Sequence, residues 1–492
     1  MFCAQQSISP NHGSPVVYGI DSRQIMNSNL HCNDKHSKLN PTQVAEVHHP
    51  GTEEKVISLI QRAALKNQAI SLCGARHAMG GQQFGEDTLL LDLSLLTQLH
   101  PIDLERGLVE VGSGMMWLEF IEGLHAQQVG SDVVWSIRQK QTGADDLTLG
   151  GSLAANIHGR GLQLRPIIDD VEAFTLIDGA GKRYRCSREK NKELFRLAIG
   201  GYGSFGVITS IHMRLTLRQK MERLVEITTI DQVIPSLEEH IADGCLFGDF
   251  QFAIDETSSD FLNRGVLSCY RPIDPSLPMP DAKKELGKQD WAELIDLAHR
   301  DRAKVFQVYS EFYLSTHQSR YWSDTHQLSV YLDDYHSKID HDCGARVPAS
   351  EMITELYVPR KDLTSFMKDA AALLKDGNVP VIYGTVRLIE KDEESFLAWA
   401  RENFACIIFN LHTEHDKEGI ARSSEAFRAL IDLALKYNGS YYLTYHRWAR
   451  WDQIEKAHPR FPEFLAAKER YDPEHRFQSE WWRHHRNLFK KS

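Results

Sequence analysis

Three stretches gather residue types that do chemistry. The first, SLCGARHAMGGQQFG (71–85), follows an apolar, strand-like run with glycines, an arginine and a histidine. Its spacing fits neither G-x-G-x-x-G nor G-x-x-x-x-G-K-[ST]. The second is DDLTLGGSLAANIHGRG (145–161) and the third LAIGGYGSFGVIT (197–209). Without a Cβ, backbone N–H groups can approach a diphosphate closely. Any one of these loops alone reads better as a tight strand-to-helix turn. Three together, with no Walker lysine, point to one large anionic cofactor wrapped by several segments.

The second half offers scattered candidates. YGTVRLIE (383–390) puts Thr385 and Arg387 two apart on a strand, hence on one face. GSYYLTYHRWARW (439–451) groups Tyr442, Tyr445 and His446. Glu355 in ITELYVPR faces either the site or solvent. HTEHD (412–416) brings His412, His415 and Asp416 together in sequence, but at a strand end they diverge and no cysteine joins them. No metal site is expected there.

Periodicity supplies the elements that position these residues. GTEEKVISLIQRAALKNQ (51–68) carries an apolar helical face with Thr52 as its N-cap. Strand-like runs follow at 69–74 and 87–96, and 107–128 reads strand, glycine turn, helix. The alternation of SFGVITSIHMRLTLR is that of a long strand. After about residue 219 strands and helices alternate with mixed lengths. Strands are expected near 352–360, 379–390 and 406–414, and helices near 290–317 (interrupted near 304), 361–376, 393–403 and 418–437. The pattern predicts a mixed or antiparallel sheet covered by helices on one face. Residues 1–36 read as a loosely packed arm, 37–218 as an α+β cofactor domain, 219–439 as a substrate domain, and 440–492 as a tail.

Composition narrows the classes. Net charge is −11, which argues against a nucleic-acid binder. The eight cysteines form no C-x-x-C pair, consistent with a reducing compartment. No secretory leader and no 18-residue apolar run is visible, so a cytoplasmic protein is expected. The basic, aromatic end around Trp481 and Trp482 could touch a membrane surface or simply pack. A small-molecule substrate is the expected partner; the oligomeric state is open.

The glycine stretches carry a resemblance. LGGSLAANIHGRG is similar to the T-[VIL]-G-G-x-L-A-x-N-x-H-G segment of the vanillyl-alcohol-oxidase/p-cresol-methylhydroxylase (PCMH-type) flavoproteins. GGYGSFGVIT resembles that family's G-G-x-G-x-F-G-[VI]-I-T, and AISLCGARHAMGG stands at its pyrophosphate loop. The likeness runs over about 40–218 and loosens beyond. It implies a cofactor domain of two α+β subdomains holding FAD. The diphosphate would lie against Gly74, Ala75, Arg76, His77, Ala78 and Met79, with Gly80 and Gly81 completing the bend. Gly150, Gly151, Ser152, Asn156, His158 and Gly159 would run under the isoalloxazine and phosphates. Gly203, Gly206, Val207 and Ile208 would meet the adenine and ribose. His77 stands where many members bond the flavin 8α-methyl covalently; otherwise it is a neutral hydrogen-bonding histidine.

The likeness to the sugar-, polyol- and aldonolactone-oxidising branch extends to the second half. There a Glu-x-Arg pair binds substrate hydroxyls, and Thr385 and Arg387 occupy those places. Tyr442 and Tyr445 fall where that branch carries an aromatic or histidine and, three positions on, a lysine. Tyr445 or His446 is then the candidate base. The implied reaction is hydride transfer from a CH–OH carbon to flavin N5. The alternatives are a double-bond reductase, a dehydrogenase using a non-oxygen acceptor, or a flavoprotein subunit with a carrier-binding second domain. YDPEHRF (471–477) resembles the family's C-terminal segment that packs back on the cofactor domain.

Overall fold

A computed structural model describes residues 30–281 and 284–491; residues 1–29 of the expected arm lie outside the described residues. The fold is α+β. A three-stranded parallel sheet comes first, in spatial order Glu46–His48, Leu89–Asp92, Ile70–Cys73. The helix Glu53–Leu65 lays Val56, Leu59, Ile60 and Ala63 on Ile70, Leu89 and Leu91 of that sheet. Thr52 caps it as its sequence suggests, its hydroxyl accepting from Lys55 N at 3.3 Å. A second, antiparallel sheet of four strands runs Leu108–Gly112, Val207–Arg214, Val171–Ile177, Arg183–Ser187.

The second half builds one eight-stranded sheet, every described pairing of which is antiparallel. Its order is Arg320–Trp322, Lys220–Thr229, Arg264–Pro272, Phe247–Phe252, Val381–Ile389, Phe404–Glu414, Ala349–Pro359 and Ser440–Tyr441. Strand parity sorts its side chains. Met352, Leu356 and Val358 are buried in the apolar core on one face, beside helices Leu363–Asp376 and Lys417–Lys436. Glu351, Ile353 and Glu355 point the other way, into a cavity. Helices Lys288–Arg300 and Arg302–Ser315 roof that cavity, so helices cover both faces and not one. Their break falls at Asp301, whose side chain caps the second helix by accepting from Lys304 N at 3.0 Å.

The expected helix at 393–403 is irregular. Asp392 accepts backbone N–H groups of Glu394 and Ser395 at 2.8 and 3.0 Å, and Trp399 donates to the Asn156 carbonyl at 3.1 Å. Local side-chain capping and a long-range hydrogen bond to Asn156 replace the helical ladder. The tail closes on the first sheet: Ile70 N donates to Arg476 O at 2.6 Å and Gln478 N to Ile70 O at 2.8 Å. Trp481 and Trp482 are buried, so neither indole is available to a membrane surface. Among the described residues no helix is long and apolar enough to cross a membrane.

Candidate functional site

The three glycine loops meet. A Cβ on Gly74 would lie 2.2 Å from Thr148 Oγ1, which shows how tightly the first loop packs on the second. Thr148 in turn caps the helix Leu149–Ala155 by accepting from Gly151 N. The second loop holds the third through Gly200 N to Leu153 O at 3.1 Å and Tyr202 N to Ala154 O at 3.0 Å. Gly206 has φ +151°, and a Cβ there would come 2.5 Å from the Ile177 carbonyl oxygen; only glycine fits.

Gly74, Ala75, Arg76, His77 and Ala78 line one cavity of about 890 Å³, together with Gly150, Gly151, Ser152, Gly203, Gly206 and Ile208. The wall suits a large polar cofactor: Ser113 Oγ and Gln141 Oε1 are buried beside it without hydrogen-bond partners among the described residues. Arg76 sits in the left-handed region at φ +66° and its guanidinium reaches Asp92 at 3.0 Å. Left-handed backbone at a non-glycine residue costs about 1–2 kcal/mol. His77 presents a nearly buried ring, with Nδ1 2.8 Å from His36 Nε2 and Nε2 3.2 Å from Asp146. Lys35 and His77 hold the Asp146 carboxyl well below the usual range against the opposing effect of burial.

Several expected contacts fall elsewhere. Met79, Gly80 and Gly81 lie behind the cavity wall, where Asn40 donates to Met79 O at 2.7 Å and Gly81 O accepts from Trp481 N. Asn156 is a structural hinge with φ +50°, its amide donating to Asp392 at 2.9 Å. Gly159 packs on the Lys140 carbonyl, and Val207 fills the core under the first helix. Thr385 donates to Phe250 O at 3.0 Å inside the sheet. His446 is buried between Phe427 and Trp448, off the cavity, and burial lowers it to about 3. His415 and Asp416 diverge from His412: one contacts Ser350 Oγ at 2.9 Å, the other caps helix Lys417–Lys436.

Glu355, Arg387, Tyr442 and Tyr445 do converge on the cavity. Strand register makes this so. Glu355 pairs with Ile408, and Cys406 pairs with both Arg387 and Tyr357, placing Arg387 on the diagonal from Glu355. Tyr442 N donates to Glu355 O at 3.0 Å, which swings the 442–445 segment alongside. Glu355 Oε1 lies 2.6 Å from His158 Nε2 and 3.4 Å from Cys406 Sγ, and accepts from the Tyr357 hydroxyl. Its Oε2 accepts from Tyr445 at 3.3 Å. Burial pushes this carboxyl up, but His158 and Tyr357 outweigh it and hold the pKa below the ordinary value. Burial and the Glu355 charge push Tyr445 well up, so its phenol stays protonated. Arg387 donates to Thr142, while its buried Nε has no hydrogen-bond partner among the described residues. Beyond this cluster the cavity becomes aromatic, with Trp291, Tyr309, Tyr313 and Tyr383.

Fold and site therefore define a dinucleotide-scale pocket built from backbone loops and closed by a second sheet. Residues 44–187 match the FAD binding domain family, so the chain carries an FAD-binding domain and FAD is its cofactor. Over residues 44–187 the match agrees with the likeness of the glycine stretches to the vanillyl-alcohol-oxidase/PCMH-type flavoproteins. An uncharacterized oxidoreductase of the fasciation locus of Rhodococcoides fascians is 28% identical over 35% of this chain and 38% of its own length. Cytokinin dehydrogenase 2 of Oryza sativa subsp. japonica is 28% identical over 35% of this chain and 31% of its own. L-gulonolactone oxidase of Scyliorhinus torazame is 23% identical over 41% and 44%. The chain thus spans less than half the length of these curated relatives.

Proposed function

We propose that the protein is an FAD-dependent oxidoreductase that oxidises a CH–OH carbon of a sugar, polyol or aldonolactone-like substrate. The observation that carries this is the Glu355 carboxylate, held ionised on the same cavity as the three glycine loops. FAD, when bound, supplies the hydride acceptor at N5. The residues supply the rest. Glu355 Oε2 takes the substrate hydroxyl proton as the carbon loses hydride, leaving a carbonyl. Tyr445 and Tyr442 keep their phenolic protons; Tyr445 orients that carboxylate, and Tyr442 is fixed by donating to Ala155 O at 2.7 Å. Arg387 binds a substrate oxygen through its Nε–H, which has no hydrogen-bond partner among the described residues. The roofing helices exclude water. His77 would hold the flavin covalently through Nε2, giving up its contact with Asp146 while His36 keeps Nδ1 in place. The domain limits 37–218, 219–439 and 440–492 belong to this same reading, as does division of the cofactor domain into two subdomains, one around each smaller sheet.

Similarity to L-gulonolactone oxidase supports the lactone class. The aromatic end of the cavity and the likeness to cytokinin dehydrogenases favour a second reading, dehydrogenation of a cytokinin. Anaerobic mixing of the yellow protein with L-gulono-1,4-lactone, a hexitol and a cytokinin decides between them. Bleaching of the flavin by lactone or hexitol is expected; bleaching by the cytokinin alone selects the second reading, and bleaching by none rejects both.

A further inference from the structure

Glu351 lies four residues before Glu355 on the same strand face and opens on the same cavity. At a rise of about 3.3 Å per residue the two positions stand about 13 Å apart. Glu351 is buried among histidines from three other elements. His299 on helix Lys288–Arg300 places Nε2 2.8 Å from Oε1. His412, directly opposite in strand register, places Nδ1 3.8 Å from the same oxygen. His336 on the helix Tyr335–Asp342 places Nδ1 3.0 Å from Oε2, which also accepts from the Tyr335 hydroxyl.

Two features set this cluster apart from a buried ion pair. The first is that His299 donates Nδ1–H to the Ile295 carbonyl at 2.9 Å, turning Nε2 towards Glu351. That outer hydrogen bond is the device that orients metal-ligating histidines. The second is the buried Nδ1 of His412, which has no hydrogen-bond partner among the described residues. Its 3.8 Å spacing is too long for a hydrogen bond. A tetrahedral ion with bonds of about 2.0–2.1 Å has ligand–ligand edges of about 3.3 Å, and the observed 2.8 and 3.8 Å bracket that length. The ligand atoms of His299, Glu351 and His412 all lie within 4.8 Å of one another.

We propose that His299, Glu351 and His412 bind a divalent transition-metal ion, zinc fitting best, with an open coordination position turned to the cavity. Two imidazoles and a carboxylate suit zinc, and three protein ligands leave the position that an exchangeable oxygen ligand fills. A hydroxyl or carboxylate oxygen of a molecule in the cavity would bind there, one strand-length from Glu355. The site stands on its own residues and does not depend on the proposed reaction.

The test uses chelator-treated yellow protein titrated with Co²⁺. One equivalent should bind with the visible bands of a four-coordinate ion at longer wavelength than the flavin, without a near-ultraviolet thiolate band, and Zn²⁺ should displace it. The pair His299→Ala with His412→Ala should lose uptake while retaining flavin, which reports that the fold survives; His415→Ala should bind normally. Should the double variant not fold, Glu351→Gln, which keeps the side-chain volume, takes its place. Three results overturn the proposal: no uptake by the wild-type protein, uptake that survives the ligand substitutions, or a thiolate band, which would put the ion at Cys406 with His158 and Glu355.

Discussion

Replacing Glu355 by Gln should separate proton transfer from folding. His158 Nδ1 lies 2.9 Å from the Gly159 carbonyl and 2.6 Å separates its Nε2 from Glu355, so one proton lies between ring and carboxylate. A glutamine amide can donate to Nε2 of the neutral ring, but the nitrogen placed there no longer accepts from the Tyr357 hydroxyl, so a cost of about 1–3 kcal/mol is expected beside the loss of rate. The lone pair that accepts the substrate proton is lost, and the rate should fall by about 10²–10⁴-fold, or about 3–5 kcal/mol of barrier. The pH profile gives the sign. Because the Glu355 pKa is depressed, the basic form is present above it, and kcat/KM should stay level through neutrality and fall only as pH drops below the ordinary glutamate range. Stability contributed by the ionised carboxyl follows the same limb and is lost as pH falls through the folded value. Stopped-flow flavin reduction across pH, with thermal melts of both proteins, measures both. An acid limb near neutrality, a profile rising into the tyrosine range, or a Gln variant reducing its flavin at the native rate would each refute the assignment.

Other substitutions test the remaining parts. Gly206→Ala forces a Cβ to within 2.5 Å of a backbone oxygen at φ +151° and should cost about 2 kcal/mol or more, read as a lower Tm and lost flavin. After acid precipitation the flavin should stay with the pelleted protein, and His77→Ala should move it to the supernatant; free flavin from the native chain would contradict covalent attachment. Arg387→Ala should raise KM for the substrate with a smaller effect on kcat, because the guanidinium binds in ground and transition states alike; an unchanged KM would remove it from the site. Asp92→Asn should weaken flavin retention by freeing Arg76 from its left-handed turn, measured as a faster loss of flavin from the non-covalent His77→Ala background.

Local signals told most of the element story. The helix after Thr52, the long strand through Val207–Arg214 and the paired strands Ala349–Pro359 and Phe404–Glu414 follow from periodicity. The strand Arg264–Pro272 was hidden because YRPIDPSLP reads as a Pro-rich connection, although tertiary pairing on both sides holds it central in the sheet. Helix 393–403 failed because buried Asp392 and Trp399 spend the segment's polar groups on local and long-range hydrogen bonds. The glycine loops could be read because backbone access demands a rare residue type. Met79, Gly80 and Gly81 could not be separated from their neighbours, since which residues of a loop face a cavity depends on the tail that packs behind it. Glu355 carried a readable cue: two glutamates four apart on one face of an otherwise apolar strand. What the chain order could not give was register, which sets Cys406 and Arg387 near Glu355 and His412 opposite Glu351, and tertiary packing, which adds His158 from its loop and His299 from its helix.

The most direct test is the absorbance spectrum of the purified protein before and after denaturation. Joint enclosure by the three glycine loops predicts flavin bands equal to a single FAD per chain, together with loss of those bands in Gly206→Ala. A protein without flavin after incubation with excess FAD, or one whose flavin survives disruption of the third loop, would contradict it.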